Sequence, residues 1–231
     1  MRLFSTLPGE LLSLMRGMGE AADSINAKAY LIGAYPRSIL IKEECSDLEV
    51  VVTGDSQKMV EQFISTYSLI KNKRRHSEGR FTLVPSPYNE GDFIMAARAR
   101  QDEKGGVGDI VSETLARGFS IDSLAISLSG IDFGKVVDPA GAVADIMVKT
   151  LRILHRNAFE QDPHFIFRAL YYVARYNLSW DPVTRTLWGH ALKNGTHLRL
   201  TSSEIKEEIK LIKKEKNGKS ALKLLEGYNH G

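Results

Sequence analysis

The sequence predicts an α+β fold: a mixed sheet with flanking helices, followed by a small all-helical domain. Three observations carry this. Strand-like and helix-like runs alternate from residue 8 to about residue 140. From Asp145 onward no convincing strand pattern appears and helical periodicity takes over. The 231 residues, 43% hydrophobic and 26% charged, suit one large domain or two small ones with ordinary cores. The composition changes near 140–150, so the expected domains are 1–142 and 143–231.

Taken in order, residues 8–27 place Leu11, Leu12, Met15, Met18, Ala22 and Ile25 at helical spacing. Ala29–Ile32 is a short apolar strand ending at Gly33, and Pro36 suits the start of a helix that Arg37–Glu43 continue. Leu48–Val52 is a β-rich run. Residues 57–67 return to helical spacing through Met59, Val60, Phe63 and Ile64. The basic stretch 71–80, KNKRRHSEGR, reads as a polar loop, either a solvated hairpin connection or an RNA contact. Phe81–Val84 and Phe93–Ala97 are two further strands joined by the turn-rich PSPYNEGD. Residues 101–109, QDEKGGVGD, are too polar and glycine-rich to be rigid. Ile110–Ala116 opens a helical stretch, and Ile121–Ser127 is expected to continue it as a buried helix. Val136–Val137 and the turn DPAGA at 138–142 close the first domain. Helices are then expected at about 145–150, 162–176, 183–193, 202–216 and 219–226, with Thr201 and Glu204 as a capping box and Gly218 as a C-terminal cap.

The formal charge of +3 permits an acidic partner such as RNA without demanding one. One cysteine, Cys45, excludes an intramolecular disulfide and a cysteine metal cluster. The first fifteen residues, MRLFSTLPGELLSLM, carry a polar break and an acid, unlike a signal peptide. No apolar run approaches a membrane span, so the cytoplasm is the expected compartment and no membrane the expected partner.

Candidate chemistry concentrates between Tyr30 and Asp55. Asp47 and Glu49 open the second strand, and alternation puts i and i+2 on one face. Two carboxylates on one face beside a glycine turn can hold a divalent ion, magnesium or manganese, against a phosphate. The same spacing also arises on solvated strands, so it acquires weight only from its context. Asp138 and Asp145 fit turn and helix caps better than substrate contacts. Phe165, Phe167, Tyr171, Tyr172 and Tyr176 suit a helix core better than a stacking platform, and Lys206, Lys210, Lys213, Lys214 and Lys216 suit a solvated helix face. His76, His155 and His164 are too scattered for a metal cluster.

From about residue 25 to 228 these segments, in order, resemble one family, the class II tRNA nucleotidyltransferases and bacterial poly(A) polymerases. LIGAYPRSIL resembles the family's L-V-G-G-x-V-R-D-x-L, and SDLEVVV its D-x-D strand. ARGFSIDSLA at 116–125 resembles R-R-D-F-T-I-N-A-L-A. VVDPAGAVADIMVKTLRIL at 136–154 resembles D-P-x-G-G-x-x-D-L-x-x-K-x-L-R, and FEQDPHFIFRALYYVAR at 159–175 resembles F-x-E-D-P-x-R-x-L-R-A-x-R-F-A-A-R. Residues 201–227 look like the helical segment that follows the family's head. The resemblance implies a nucleotidyltransferase-type head followed by a helical neck or RNA-binding-like domain.

It also implies roles. Asp47 and Glu49 would hold two divalent ions, one activating an RNA 3′-hydroxyl and one neutralising a nucleoside triphosphate. Gly33 and Ala34 backbone amides with Arg37 would hold its phosphates, and Arg117 and Arg168 would add charge. Asp162 would face the incoming base. The acceptor is expected to be RNA with a tRNA-like 3′ end. The family's C-terminal body and tail have no counterpart here, so a separate RNA-binding subunit or a homodimer is an expected partner. Departures from the pattern bear on activity. Ala34 replaces a glycine, Ser38 an aspartate, Glu49 an aspartate, Ala116 an arginine, Gly118 an aspartate, Gln161 a glutamate and Phe165 an arginine. In the family that last arginine helps to read the base edge, and phenylalanine has no donor for it. Asp92 falls near a further family acid, although a one-residue slip would turn it to the other face. Two functions follow: a divergent nucleotide-adding enzyme with altered base selectivity, or a catalytically degenerate homologue that binds RNA or a protein partner.

Overall fold

A computed structural model describes residues 9–45, 48–67, 70–76, 80–85, 94–98 and 108–226. Asp47, Asp92, Phe93 and residues 101–107 lie outside them. The chain divides into two compact units, Met1–Arg117 with Asp122–Ala142, and Gly118–Ile121 with Val143–Gly231.

The first unit is built on a seven-stranded sheet. Its elements are α1 (Gly9–Ser24), β1 (Ala29–Ile32), α2 (Ala34–Ile41), β2 (Leu48–Val52), α3 (Ser56–Thr66), β3 (Ile70–Arg75), β4 (Phe81–Pro85), β5 (Ile94–Arg98), α4 (Ile110–Leu115), β6 (Ala125–Ser127) and β7 (Val136–Val137). The strand order is β3-β4-β5-β2-β1-β6-β7. Only β2–β5 is parallel; the other pairs are antiparallel. Alternation sorts the strands between two cores. Leu31, Val50 and Val52 pack with Met15, Met18, Met59 and Phe63 of α1 and α3. Ile32 and Val51 pack on the other face with Ile110 and Ala125. Burying each such side chain contributes about 1.5–3 kcal/mol. Glu49, two residues before Val51, lies opposite Ile32 in the β1–β2 register.

Two segments of this unit depart from the expected pattern. Residues 121–127 are not a helix: a 3-10 turn at Ser120–Asp122 is followed by β6, paired to β1 and β7. Leu124, Ala125, Ile126 and Leu128 are all buried, and a strand covered on both faces has the same continuous apolar run as a buried helix. The basic stretch after residue 70 is not a loop throughout, since β3 takes Ile70–Arg75 to the edge of the sheet. Charged side chains at an edge discourage further pairing, and Arg74 and Arg75 are exposed there.

The second unit is mainly helical. It contains α5 (Ala142–Met147), entered from the first unit, then α6 (Ala158–Gln161), α7 (His164–Tyr176), α8 (Pro182–Lys193), α9 (Ser202–Lys214) and α10 (Gly218–Glu226). Two short parallel strands, β8 (Thr150–Leu151) and β9 (Ser179–Trp180), correct the expectation that no strand follows Asp145. Two-residue strands are too short to leave a period in the sequence. The core gathers Phe119, Phe159, Ile166, Phe167, Leu170 and Trp188, all buried. The Trp188 indole N–H donates to the Ile166 carbonyl at 3.0 Å. Thr201 and Glu204 form the capping box of α9. Gly218 opens α10 instead of ending α9; a Cβ there would lie 2.0 Å from the Ile212 carbonyl oxygen. Residues 118–121 join this unit by pairing along 152–154: Leu154 N–H donates to the Gly118 carbonyl at 2.8 Å, and Ser120 N–H to the Arg152 carbonyl at 2.9 Å.

Candidate nucleotide site

Gly33 joins β1 to α2 with φ 76° and ψ −132°. Positive φ suits glycine, and space requires it as well: a Cβ would sit 2.9 Å from Glu49 Oε2. The turn therefore brings a carboxylate against the start of a helix. Ala34 is the first residue of α2, and Gly33 supplies no side-chain cap. The amides of this turn and the positive end of the helix dipole favour an anion such as a phosphate.

Glu49 is held by a guanidinium. Arg117 Nη2 lies 3.2 Å from Glu49 Oε1 and Nη1 3.5 Å from Oε2. The same Nη2 lies 3.2 Å from Glu113 Oε1, one helical turn earlier. Side-chain exposures are 23% for Arg117, 32% for Glu49 and 9% for Glu113. Burial works against the Arg117 charge, but Glu49, then Glu113 and Asp122, outweigh it and raise the guanidinium above its ordinary value. The sequence reading did not find Glu113, although its i,i+4 spacing to Arg117 was the available signal.

Arg37 lies in the same unit. Its side chain is 8% exposed and its Nη1 pairs with Asp122 Oδ1. Its guanidinium thus meets an internal carboxylate, and Asp122 is a second site neighbour that the sequence reading missed. No local spacing links residues 85 apart.

Among the described residues no three His, Cys, Asp or Glu side chains converge to hold a metal ion. Asp47 lies outside them, and Glu49 is the described member of the expected pair. An ionised carboxylate offers about four lone-pair sites, and two N–H groups of one arginine leave others open. A third-exposed carboxylate beside a phosphate-binding turn fits one ligand of a divalent ion, although Arg117 would weaken that ion's hold by repulsion.

The remaining candidates belong to the second unit. Asp162 is half-buried, and its Oδ1 accepts from His164 N–H at 3.0 Å at the start of α7. Gln161 and Arg168 are exposed. Phe165 is half-buried, with its ring 5.6 Å from that of Phe119 and 5.8 Å from the Arg168 guanidinium carbon. The α7 aromatics divide: Phe167 and Tyr172 are core, while Tyr171 and Tyr176 are half-exposed. Asp138 caps its turn through Ala142 N–H at 2.6 Å. Asp145 instead pairs with Arg152 at 2.7 Å. Among the described residues no helix is long and apolar enough to cross a membrane.

A mixed sheet with a glycine turn and strand carboxylate, followed by a helical unit, has the architecture of a nucleotidyltransferase-type head followed by a small all-helical domain. No protein-family model matches the chain. It is 26% identical over 229 residues to an A-adding tRNA nucleotidyltransferase of Geobacter sulfurreducens, covering 96% of this chain and 26% of that protein. It is 28% identical over 232 residues to the A-adding tRNA nucleotidyltransferase of Halalkalibacterium halodurans, covering 96% of this chain and 53% of that protein. The Thermotoga maritima CCA-adding enzyme complexed with tRNA superposes with a TM-score of 0.87 at 25% identity, over 98% of this chain and 53% of that one. The chain is thus similar in sequence and in fold to tRNA nucleotidyltransferases. It spans between about a quarter and about half of the curated relatives' length.

Proposed function

We propose that this chain is a divergent nucleotidyltransferase that adds nucleotides to an RNA 3′ end with altered base selectivity. The observation that carries the reading is the Glu49 carboxylate, held against the Gly33 turn ahead of α2. Gly33 and Ala34 amides receive the triphosphate of the incoming nucleotide, and Arg37, anchored by Asp122, adds positive charge. Asp47 and Glu49 would hold two divalent ions, magnesium or manganese. When bound, one would acidify the acceptor hydroxyl and the other would neutralise charge on the triphosphate. Arg117 orients Glu49 and balances its charge against Glu113. In the second unit Asp162 and Arg168 serve the incoming nucleotide, and Phe165 offers a face where the family has a donor. A site built to hydrogen-bond a base edge rejects wrong bases strongly; a face alone does not. Selectivity therefore falls to a weak preference.

Incorporation of each of the four triphosphates into a tRNA lacking its 3′ end tests this. Incorporation with weak preference, lost in Asp47→Ala while the fold persists, is the expected result. Clean addition of CCA with rejection of other nucleotides would overturn the altered selectivity. Inactivity with all four, in a folded protein with metal supplied, would favour the second reading: a catalytically degenerate homologue that binds RNA or a protein. The Arg117 fork on Glu49 is the observation on that side.

A further inference from the structure

Gly118 has no positive φ to explain it, yet a side chain there would have to displace the Phe165 ring. A Cβ built there would lie 2.6 Å from Phe165 Cζ, 2.8 Å from Cε2 and 3.0 Å from Cε1. The tip of the phenyl ring occupies the place where any other residue would put its first carbon. The backbone beneath it is fixed, because the Gly118 carbonyl accepts from Leu154 N–H at 2.8 Å. On another side the ring meets Phe119 nearly edge to face, at 5.6 Å and 73°. Phe119 is fully buried and packs in turn against Phe159 and Tyr172. Arg168 completes the surroundings with its guanidinium 5.8 Å from the ring centre.

Positions 118 and 165 are two of the departures from the family pattern, an acid and an arginine replaced by glycine and phenylalanine. One geometry accounts for both. An aspartate at 118 would collide with the phenyl ring, and the ring can lie where it does only above a residue without a Cβ. The two replacements form one packing unit.

We infer that Gly118 determines nucleotide specificity through Phe165, as a positioning residue. By giving up its side chain it seats the ring as a fixed aromatic surface without hydrogen-bond donors. A nucleobase meeting that surface is sorted by stacking, which every base can offer, and not by its edge. This rests on the transferase reading.

A double-mutant cycle tests it, with Gly118→Ala, Phe165→Ala and the pair, read by thermal midpoint and by relative kcat/KM for the four triphosphates on an RNA 3′ end. Gly118→Ala alone should lower the midpoint and change the ratios among the triphosphates by about threefold or more. In the Phe165→Ala background, where the space is vacant, the same change should move neither. Equal shifts in both backgrounds would overturn the inference, as would a lowered midpoint with unmoved ratios, the signature of a purely structural glycine. Should Gly118→Ala not fold, Phe165→Ala and the pair decide it. Both should fold and share base ratios that differ from wild type by about threefold or more; wild-type ratios in Phe165→Ala, or different ratios in the two, overturn the inference. A wild-type protein that neither incorporates nor binds any of the four triphosphates, by calorimetry, removes the transferase reading and the specificity role with it. The midpoint cycle then still reports whether Gly118 seats the ring.

Discussion

Gly33 is the residue on which two requirements meet. Its φ of 76° disfavours any Cβ, and the Glu49 carboxylate stands 2.9 Å from where that Cβ would be. Gly33→Ala should destabilise the protein by more than the roughly 1 kcal/mol that a compatible Gly→Ala change gains. It should also displace Glu49, so that triphosphate binding weakens beyond what the stability loss explains. Chemical denaturation alongside calorimetry separates the two effects. Arg117 makes a different case. Removing one partner of a buried ion pair costs about 3–5 kcal/mol, and the 23% exposure of Arg117 places Arg117→Gln at or below the low end. Arg117→Lys should not rescue it, because a single ammonium cannot fork to Glu49 while also reaching Glu113. Wild-type stability of Arg117→Lys in urea would mean that the fork contributes nothing.

At the scale of elements, the 3-10 turn of residues 196–199 carries a titrating group. His197 is pulled below its ordinary value of 6.5 by burial, and its Nδ1 has no hydrogen-bond partner among the described residues. A histidine with a lowered folded value binds protons more readily in the unfolded chain. Its contribution is therefore constant above about 6.5 and falls as pH drops from there towards the folded value. The His197→Gln protein should lose less thermal midpoint than wild type between neutral and mildly acid pH. Parallel pH profiles would show that the histidine is not coupled to folding. Elements were legible where the period was long. α1, α3, α7 and α8 present clear apolar stripes, and β1 and β2 end at glycine turns. β6 was not legible, because Leu124–Leu128 is buried on both faces and Ser127 alone interrupts its apolar run. β3 was masked by its Lys and Arg residues, and β8 and β9 by their length. Of the candidate site, Gly33 and Glu49 could be read from spacing and resemblance. Glu113 was hidden because an i,i+4 acid–arginine pair is equally at home on a solvated helix face, and Asp122 because tertiary contact alone brings it to Arg37.

The charge of the whole molecule bears on the acceptor. Thirty-one Lys and Arg residues against 28 Asp and Glu give only +3, so no general field draws RNA to this chain. Many of its acids are also engaged internally: Glu49 and Glu113 with Arg117, Asp122 with Arg37, Glu208 with His164 and Glu215 with Arg175. Lys206, Lys210, Lys213 and Lys214 line one open groove on α9, where Lys210 also lies 3.5 Å from Glu207 Oε2. Binding of an RNA 3′ end should therefore depend on a few local phosphate contacts. Each released counterion contributes about 0.7 to the slope of log affinity against log salt for a single strand. Titrating a short single-stranded RNA at several salt concentrations should give a finite but shallow slope, corresponding to a few contacts. Replacing the four α9 lysines with glutamine should flatten it further if those contacts lie on that helix. A slope of zero, with triphosphate binding intact, would turn the acceptor away from RNA and towards a smaller hydroxyl-bearing molecule. Transfer from the proposed triphosphate site would remain, because the contacts proposed at the Gly33 turn do not involve the acceptor.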